Sequence, residues 1–310
     1  MTMCRSLLPC AIALTLVLMN AAIASGQEHY ARGQNVVPVF EGWERNADGT
    51  INMVFGYMNR NYEEAVDIPV GPDNMISPGP VDQGQPAHFY ARRQEFVFKV
   101  KVPSDWGDKD LIWTLRSAGK TEKAYGSLLA TWEIGNLVYQ ENRKGAGDVT
   151  YPEQPNRAPT IEMVGSARRT VAVGEALSLS VEVADDGYPI PRARPVQSAR
   201  PTDGFGIDGP RQESPITQAV VKLDRGVRLG VTWVLYRGGP GTVTFNPMRV
   251  PVVSVGSPGV VAAAGPLSGK ATTTATFSEP GTYELRAYAD DGVLTTPLDV
   301  VVKVQGSQQY

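Results

Sequence analysis

Residues 271–292 read ATTTATFSEPGTYELRAYADDG, and the fold class follows from their punctuation. Tyr283, Leu285, Ala287 and Ala289 alternate with Glu284, Arg286 and Tyr288. Period two is the mark of a strand with one face turned to a core. Ser278-Glu279-Pro280-Gly281 is a turn, because proline presets its backbone angle and glycine relieves the next. Before it, residues 271–277 are rich in threonine and fit an edge-like strand. The same alternation recurs on both sides. Leu298, Val300, Val302 and Val304 follow. Val227, Leu229, Val231, Trp233 and Leu235 precede, and before them come Leu177, Leu179, Val181 and Val183.

Taken in order, these strands match an immunoglobulin-like sandwich. Trp233 stands where strand C carries the core tryptophan. Tyr283 stands at the start of strand F, where a tyrosine corner belongs. Leu285 falls two residues later, at the place of the second cysteine in antibody domains. The stretches WVLYRGGPGTVTF (233–245) and 271–292 resemble the PKD/REJ-related immunoglobulin-like modules of bacterial secreted and surface proteins. The resemblance covers about half of the chain beyond its leader and implies the sandwich fold. It also implies a spacer, adhesion or binding role rather than an activity. The first block (FEGWERNADGT, FGYMNRN, IPVGPDN, GQPAHF, FVFKVKVP) resembles a recurrent module of bacterial exported proteins with no assigned function.

That first block is itself strand-like. Ile51, Met53, Phe55 and Tyr57 alternate with Asn52, Val54, Gly56 and Met58. Phe96, Phe98, Val100 and Val102 alternate with Val97, Lys99 and Lys101, and LIWTL at 111–115 is a short apolar run. The expected fold is therefore all-β, with two β-sandwich domains in tandem, the second immunoglobulin-like and PKD-like. The expected division is a signal peptide at 1–26, an N-terminal β-sandwich domain at 27–138, a polar linker at 139–158 and the second sandwich at 159–310. Two insertions, 188–218 and 246–270, interrupt the second sandwich, the latter with room for a hairpin around 250–255.

Arg5, an apolar run at 7–19 and the small residues Ala22, Ala24 and Gly26 mark the leader. Both cysteines, Cys4 and Cys10, lie inside it, so the exported chain would carry no disulfide. No other segment approaches the ~20 apolar residues of a membrane span, so the mature chain is not expected to span a membrane. With 29 basic and 32 acidic residues there is no basic footprint for nucleic acid. Two cysteines and two histidines exclude thiolate zinc sites and haem ligation.

The most suggestive constellation is a repeated Ala-Asp-Asp-Gly, with Asp185 and Asp186 ending strand B and Asp290 and Asp291 ending strand F. These strands run the same way in facing sheets, so the four carboxylates share one pole with the B–C and F–G loops. Two readings stand: a Ca²⁺ site, and plain turn chemistry in which aspartate bonds its own backbone. The first insertion extends from this pole as a mixed-charge arm (Arg192, Arg194, Arg200, Arg211, Asp203, Asp208), a candidate partner loop. Trp43, Trp106 and Trp132 are the candidate sugar-stacking face. His29 and His88 have no nucleophile motif to serve. Glu63, Glu64 and Asp67 are the nearest carboxylate cluster and read as a solvated edge. Gly238-Gly239-Pro240-Gly241 is a turn and not a phosphate cradle. No catalytic, cofactor-binding or metal residue is assigned, and no cofactor is called. The expectation is an exported, periplasmic or extracellular, non-catalytic interaction or structural protein with a protein or glycan partner. The alternative is a secreted carbohydrate-binding or hydrolase-accessory protein.

Overall fold

A computed structural model describes residues 30–142, 156–189, 227–254 and 265–306. The leader, His29, residues 143–155, 255–264 and the charged arm from 190 to 218, with Arg192, Arg194, Arg200, Arg211, Asp203 and Asp208, lie outside the described residues. The chain is all-β. Its first sheet joins β1 (Val36–Arg45), β2 (Ile51–Asn59) and, beyond three short strands, β6 (Arg92–Val102), in the order β1-β2-β6. The short strands are β3 (Val66–Asp67), β4 (Asn74–Ser77) and β5 (His88–Phe89). β4 pairs with β7 (Leu111–Ser117), which pairs with β8 (Lys120–Gly126), giving a second sheet.

Aromatic side chains on alternate positions meet between these sheets. Phe55 from β2 and Phe98 from β6 meet Trp113 from β7 edge-on, with centroids 6.0 and 4.9 Å apart. The long path from β2 to β6 is held by buried amides, because loop backbone removed from water needs partners. Asn74 accepts from the Trp113 indole at 3.0 Å and donates to the carbonyls of Ile68 and Pro86. Asn59 donates to the carbonyls of Glu64 and Phe89. Asn59 and the neighbouring Asn61, both buried, thus act as a polar staple at the end of β2, and β2 pairs with the distant β6. After a 3-10 turn at Ala130–Trp132 comes the helix α1 (Asn136–Asn142), so the described start of the polar 139–158 stretch is helical.

The later strands are β9 (Thr160–Met163), β10 (Arg168–Ala172), β11 (Leu177–Asp185), β12 (Val227–Gly238), β13 (Val243–Asn246), β14 (Arg249–Ser254), β15 (Leu267–Phe277), β16 (Gly281–Asp290) and β17 (Thr295–Gln305). They form two sheets, β9-β11-β15-β13 and β10-β17-β16-β12-β14. In immunoglobulin letters these are A-B-E-D facing G-F-C, with one extra strand on each side of the latter. The first strand is split. β9 pairs with β11, and β10 crosses over to pair in parallel with β17. Trp233, Leu285 and Leu179 are fully buried in the core between the sheets.

One expectation about this half is corrected. The threonine-rich strand is not an edge: β15 lies between β11 and β13. Thr272, Thr274 and Thr276 line the outer face, while Ala271, Ala275 and Phe277 fill the core and the buried Thr273 hydroxyl donates to the Pro247 carbonyl at 2.6 Å. The 246–270 stretch is strand at both described ends, and the part of the expected hairpin beyond Ser254 lies outside the described residues. Its first part, β14, leaves β13, changes sheets and pairs with β12, where Val250, Val252 and Val253 gain core contacts.

The tyrosine corner is present. The Tyr283 hydroxyl donates to the Glu279 carbonyl at 2.8 Å and accepts from the Gly241 amide at 3.3 Å. Gly239 permits it: at φ +73° a side chain there would be strained and would overlap the Tyr283 ring. Tyr283→Phe keeps the ring and removes the hydroxyl. It should cost about 1 kcal/mol, seen as a lower urea midpoint at unchanged slope. An unaltered midpoint would show that the corner contributes nothing.

Candidate functional site

In β12 nearly every residue is buried, which means that both faces are covered. The inner face (Leu229, Val231, Trp233, Leu235) packs in the sandwich core. The outer face, with Val234 and Tyr236, and its neighbours Arg286 and Tyr288 on β16, packs on the N-terminal sheets. The sequence carried this signal. A solvated strand face would be polar, whereas these outer positions hold valine and tyrosine.

Two bulges make the seam. In β6, Phe98 pairs with Phe55 and Gln94 with Tyr57, so Glu95, Phe96 and Val97 all stand opposite Gly56. Phe96 takes φ +52°, a costly conformation for a bulky residue. Its ring leaves the first core and joins Val54, Ile134, Tyr139 and Val293. A β-carbon at position 56 would overlap the Gln94 carbonyl and the Glu41 carboxylate, so glycine is required there. In β12 the register slips between Leu235 and Arg237, leaving Tyr236 as the extra residue. Its backbone carbonyl accepts from the Ala87 amide at 3.0 Å.

Hydrogen bonds cross the seam along its length. The Leu235 amide donates to the Tyr90 hydroxyl at 2.9 Å, and the Tyr288 hydroxyl donates to the Val97 carbonyl at 3.0 Å. The Tyr236 hydroxyl donates to the Gly84 carbonyl. Arg237 donates through Nε to the Gln85 carbonyl at 2.7 Å and forks onto both oxygens of Asp82 at 2.9 Å. The Arg286 guanidinium lies 3.4 Å from the Tyr236 ring centroid and pairs with Asp299 through two bonds. Burial pushes the hydroxyls of Tyr57, Tyr90 and Tyr236 well above the usual phenol range, so they stay protonated. Between these rings and His88 and Gln94 lies a cavity of about 30 Å³, enough for a water or two rather than an organic ligand.

The predicted acidic pole is also assembled. Each aspartate accepts a backbone amide two residues on: Gly187 and Tyr188 bond Asp185 and Asp186, and Gly292 and Val293 bond Asp290 and Asp291. Asp291 also accepts from Leu294, at 2.7 Å. The geometry is thus that of the turn reading. Among the described residues no three acidic, histidine or cysteine side chains are placed to hold a metal ion. The pole is not an open contact surface on its F–G side, since Asp290, Asp291 and Val293 are buried and Val293 packs into the seam.

The tryptophan platform is overturned. Trp43 and Trp106 are buried and spend their indole N–H groups on the carbonyls of Leu129 and Lys109. Trp132 alone of the three is exposed, tilted against Phe40. It shares the surface of residues 129–137 with exposed Leu129 and Leu137. His88 bonds Asp67 through Nδ1 at 2.7 Å, at the rim of the seam. Of the Glu63, Glu64 and Asp67 cluster, Glu64 accepts from the Gly33 amide and Asp67 holds His88.

No protein-family model matches the chain, and no curated protein matches it. Among solved structures it is similar to domains 4 and 5 of the S-layer protein SbsC, at 11% identity over 64% of this chain and 65% of that one, TM-score 0.22. It is similar to the fibronectin(III)-like modules of Clostridium thermocellum CbhA, at 10% identity over 89% of this chain and 97% of that one, TM-score 0.20. It is also similar to the D00–D0 domain of intimin, at 10% identity over 86% and 99%, TM-score 0.23. The immunoglobulin-like assignment rests on the strand order described above. Among the described residues no helix is long and apolar enough to cross a membrane.

Bonds and apolar packing across the seam are expected to couple the two halves into one cooperative unit. Wild-type protein should unfold in a single calorimetric transition. Phe96→Ala removes the central knob, at a cost of about 3–5 kcal/mol, and should split the transition in two. A single transition in the variant would mean that Phe96 does not couple the halves.

Proposed function

We propose that this protein is a non-catalytic structural or interaction element of the cell envelope or exterior, built as one rigid body from two β-sandwiches. The observation that carries the reading is the seam. Interfaces between tandem domains ordinarily allow relative motion. Here main-chain bonds, a forked Arg237–Asp82 pair and a shared apolar cluster cross between the halves. Such a unit holds a fixed distance and angle between its ends, which suits a spacer or a presenting scaffold and contributes nothing to turnover. The buried polar groups of the fold also serve architecture, in amide staples, Asp-Gly turns and seam bonds.

Export is part of this proposal and rests on the leader at 1–26, with processing beside Ala24. The division at 27–138, 139–158 and 159–310, and the PKD-like character of the second sandwich, belong to it as well. The partner is a protein or glycan. The contact face includes the exposed Leu129, Trp132 and Leu137, three large apolar side chains exposed within nine residues of chain (129 to 137). Expression of the full chain in a bacterium should yield a periplasmic or secreted species whose measured mass begins between residues 25 and 27. An uncleaved cytoplasmic product would remove the export reading. Among envelope components captured by the wild-type protein, the true partner should be lost when Leu129, Trp132 and Leu137 are changed together to serine. Equal recovery by wild type and variant would place the contact face elsewhere.

A further inference from the structure

Both neighbours of β2 break register at one level of the first sheet. β1 carries Glu41 as an extra residue, between Phe40, which pairs with Phe55, and Gly42, which pairs with Val54. Next to it, β6 sets Glu95, Phe96 and Val97 against Gly56. A bulge takes main-chain groups out of the regular ladder, and buried groups of that kind need other partners. Glu41 and Arg93 meet in this gap. Glu41 Oε2 accepts from Arg93 Nη2 at 2.7 Å, with the Glu41 side chain 8% exposed and the Arg93 side chain 34%. Arg93 Nη1 donates to the Gln94 carbonyl at 3.0 Å and to the Tyr57 carbonyl at 3.4 Å. Tyr57 and Gln94 form the last regular pair before the bulge. The pair fits because residue 56 has no side chain: a β-carbon there would overlap Glu41 Oε1, the Gln94 carbonyl and Arg93 Nη1.

The same carboxylate answers to the bulge itself. Burial pushes the Glu41 carboxyl up, while Arg93 and the backbone amide of Phe96 favour its charged form. Phe96 is the residue at φ +52° whose ring packs on Tyr139, with centroids 4.5 Å apart, and joins Val293 of the second sandwich. The carbonyl after it, that of Val97, accepts from the Tyr288 hydroxyl across the seam. Among the described residues the bonds of Glu41 and Arg93 stay within the first half, and they end on the residues from which the seam starts. We propose that the Glu41–Arg93 pair is a clamp that sets the β6 bulge, and that through the bulge it governs how firmly the second sandwich is held.

A charge pair suits this task for two reasons. Bonds with an ionised partner are shorter and stronger than neutral ones. One guanidinium also carries enough donors in a fixed plane to reach a carboxylate and two carbonyls together, which a hydroxyl or an amide cannot do. Removing the guanidinium leaves the buried carboxylate without its partner and the strained Phe96 backbone without its brace. The clamp is thus an interdomain device made of first-half residues, and it rests on the rigid two-sandwich reading above.

The test is amide hydrogen exchange on the full exported chain, read at two amides that cross the seam and two that do not. Leu235 donates to the Tyr90 hydroxyl and Ala87 to the Tyr236 carbonyl, whereas Trp233 donates to the Met248 carbonyl within the second sandwich and Arg116 to the Asp73 carbonyl within the first. In wild type the seam amides should be protected. If they exchange as an unfolded chain does, the rigid reading falls and the clamp with it. With the wild-type seam closed, Arg93→Met should speed exchange at Leu235 and Ala87 on the order of ten- to a hundredfold, as loss of a hydrogen bond to a charged group implies. Trp233 and Arg116 should change little. Glu41→Gln should act in the same direction by less, and it decides the matter if Arg93→Met does not fold. The double variant should lose less than the two changes summed, because both break one pair. Seam amides as slow in the variants as in wild type, or a rise shared equally by all four amides, would overturn the clamp and leave the rigid reading standing.

Discussion

The positive backbone angle at Phe96 is the constraint on which the arrangement of this molecule turns. Three residues of β6 face the single Gly56, and the excess chain has nowhere to go but outward. An L-residue held in that region costs on the order of 1–3 kcal/mol. Part of the return comes from its own half, where the Phe96 ring packs on Val54, Ile134 and Tyr139. Docking adds the contact with Val293 of the second sandwich, and the Val97 carbonyl gains the Tyr288 hydroxyl, worth about 1 kcal/mol. The bulge thus serves the packing of the first half and the interface together.

The second sandwich answers with a bulge of its own. The register slip at Tyr236 frees a carbonyl that a regular C strand would commit to its neighbour, and Ala87 takes it. The loop that supplies Gly84, Gln85 and Ala87 is rigid because Asn74 and Gln85 satisfy its carbonyls from inside. Buried amides, loop, bulge and facing tyrosine thus form one chain of dependence. The staples make the loop rigid, and the rigid loop can present main-chain groups to β12 at hydrogen-bond distance. A mobile loop would lose ordering entropy of about 1–2 kcal/mol per residue on docking, which would cancel most of the bonds formed.

Much of this was legible in the sequence, and the rest was missing for identifiable reasons. Period two marked the strands of both halves, and Trp233, Tyr283 and Leu285 marked the C and F strands, because each of those signals is local. The edge position of β15 was misread since threonine on an outer face looks alike on an edge strand and on a central one. The tryptophan platform failed because sequence gives no side-chain direction, and Trp43 and Trp106 each found an indole acceptor inside. The seam was missed although half of its signal was present. Val234, Tyr236 and Tyr288 are apolar or aromatic at positions that a solvated face would leave polar. The other half, the bulge at 95–97, is invisible in sequence because pairing with Gly56 crosses 39 to 41 positions (95 − 56 and 97 − 56).

The acidic pole and the seam meet in one turn. Val293 is placed in the apolar cluster by two amides that end on Asp291, so seam packing is only as firm as that carboxyl group. A Gly-rich F–G loop without the aspartates would reach the same place at a larger entropic cost. Aspartate shortens the search by closing the turn on itself, but it brings a charge into a site with little water. Burial, then the neighbouring Asp290, pushes the Asp291 carboxyl up. The fold thus gains a preformed knob for its interface at the expense of a buried acidic cluster, and the two properties cannot be separated while the Ala-Asp-Asp-Gly turn supplies both.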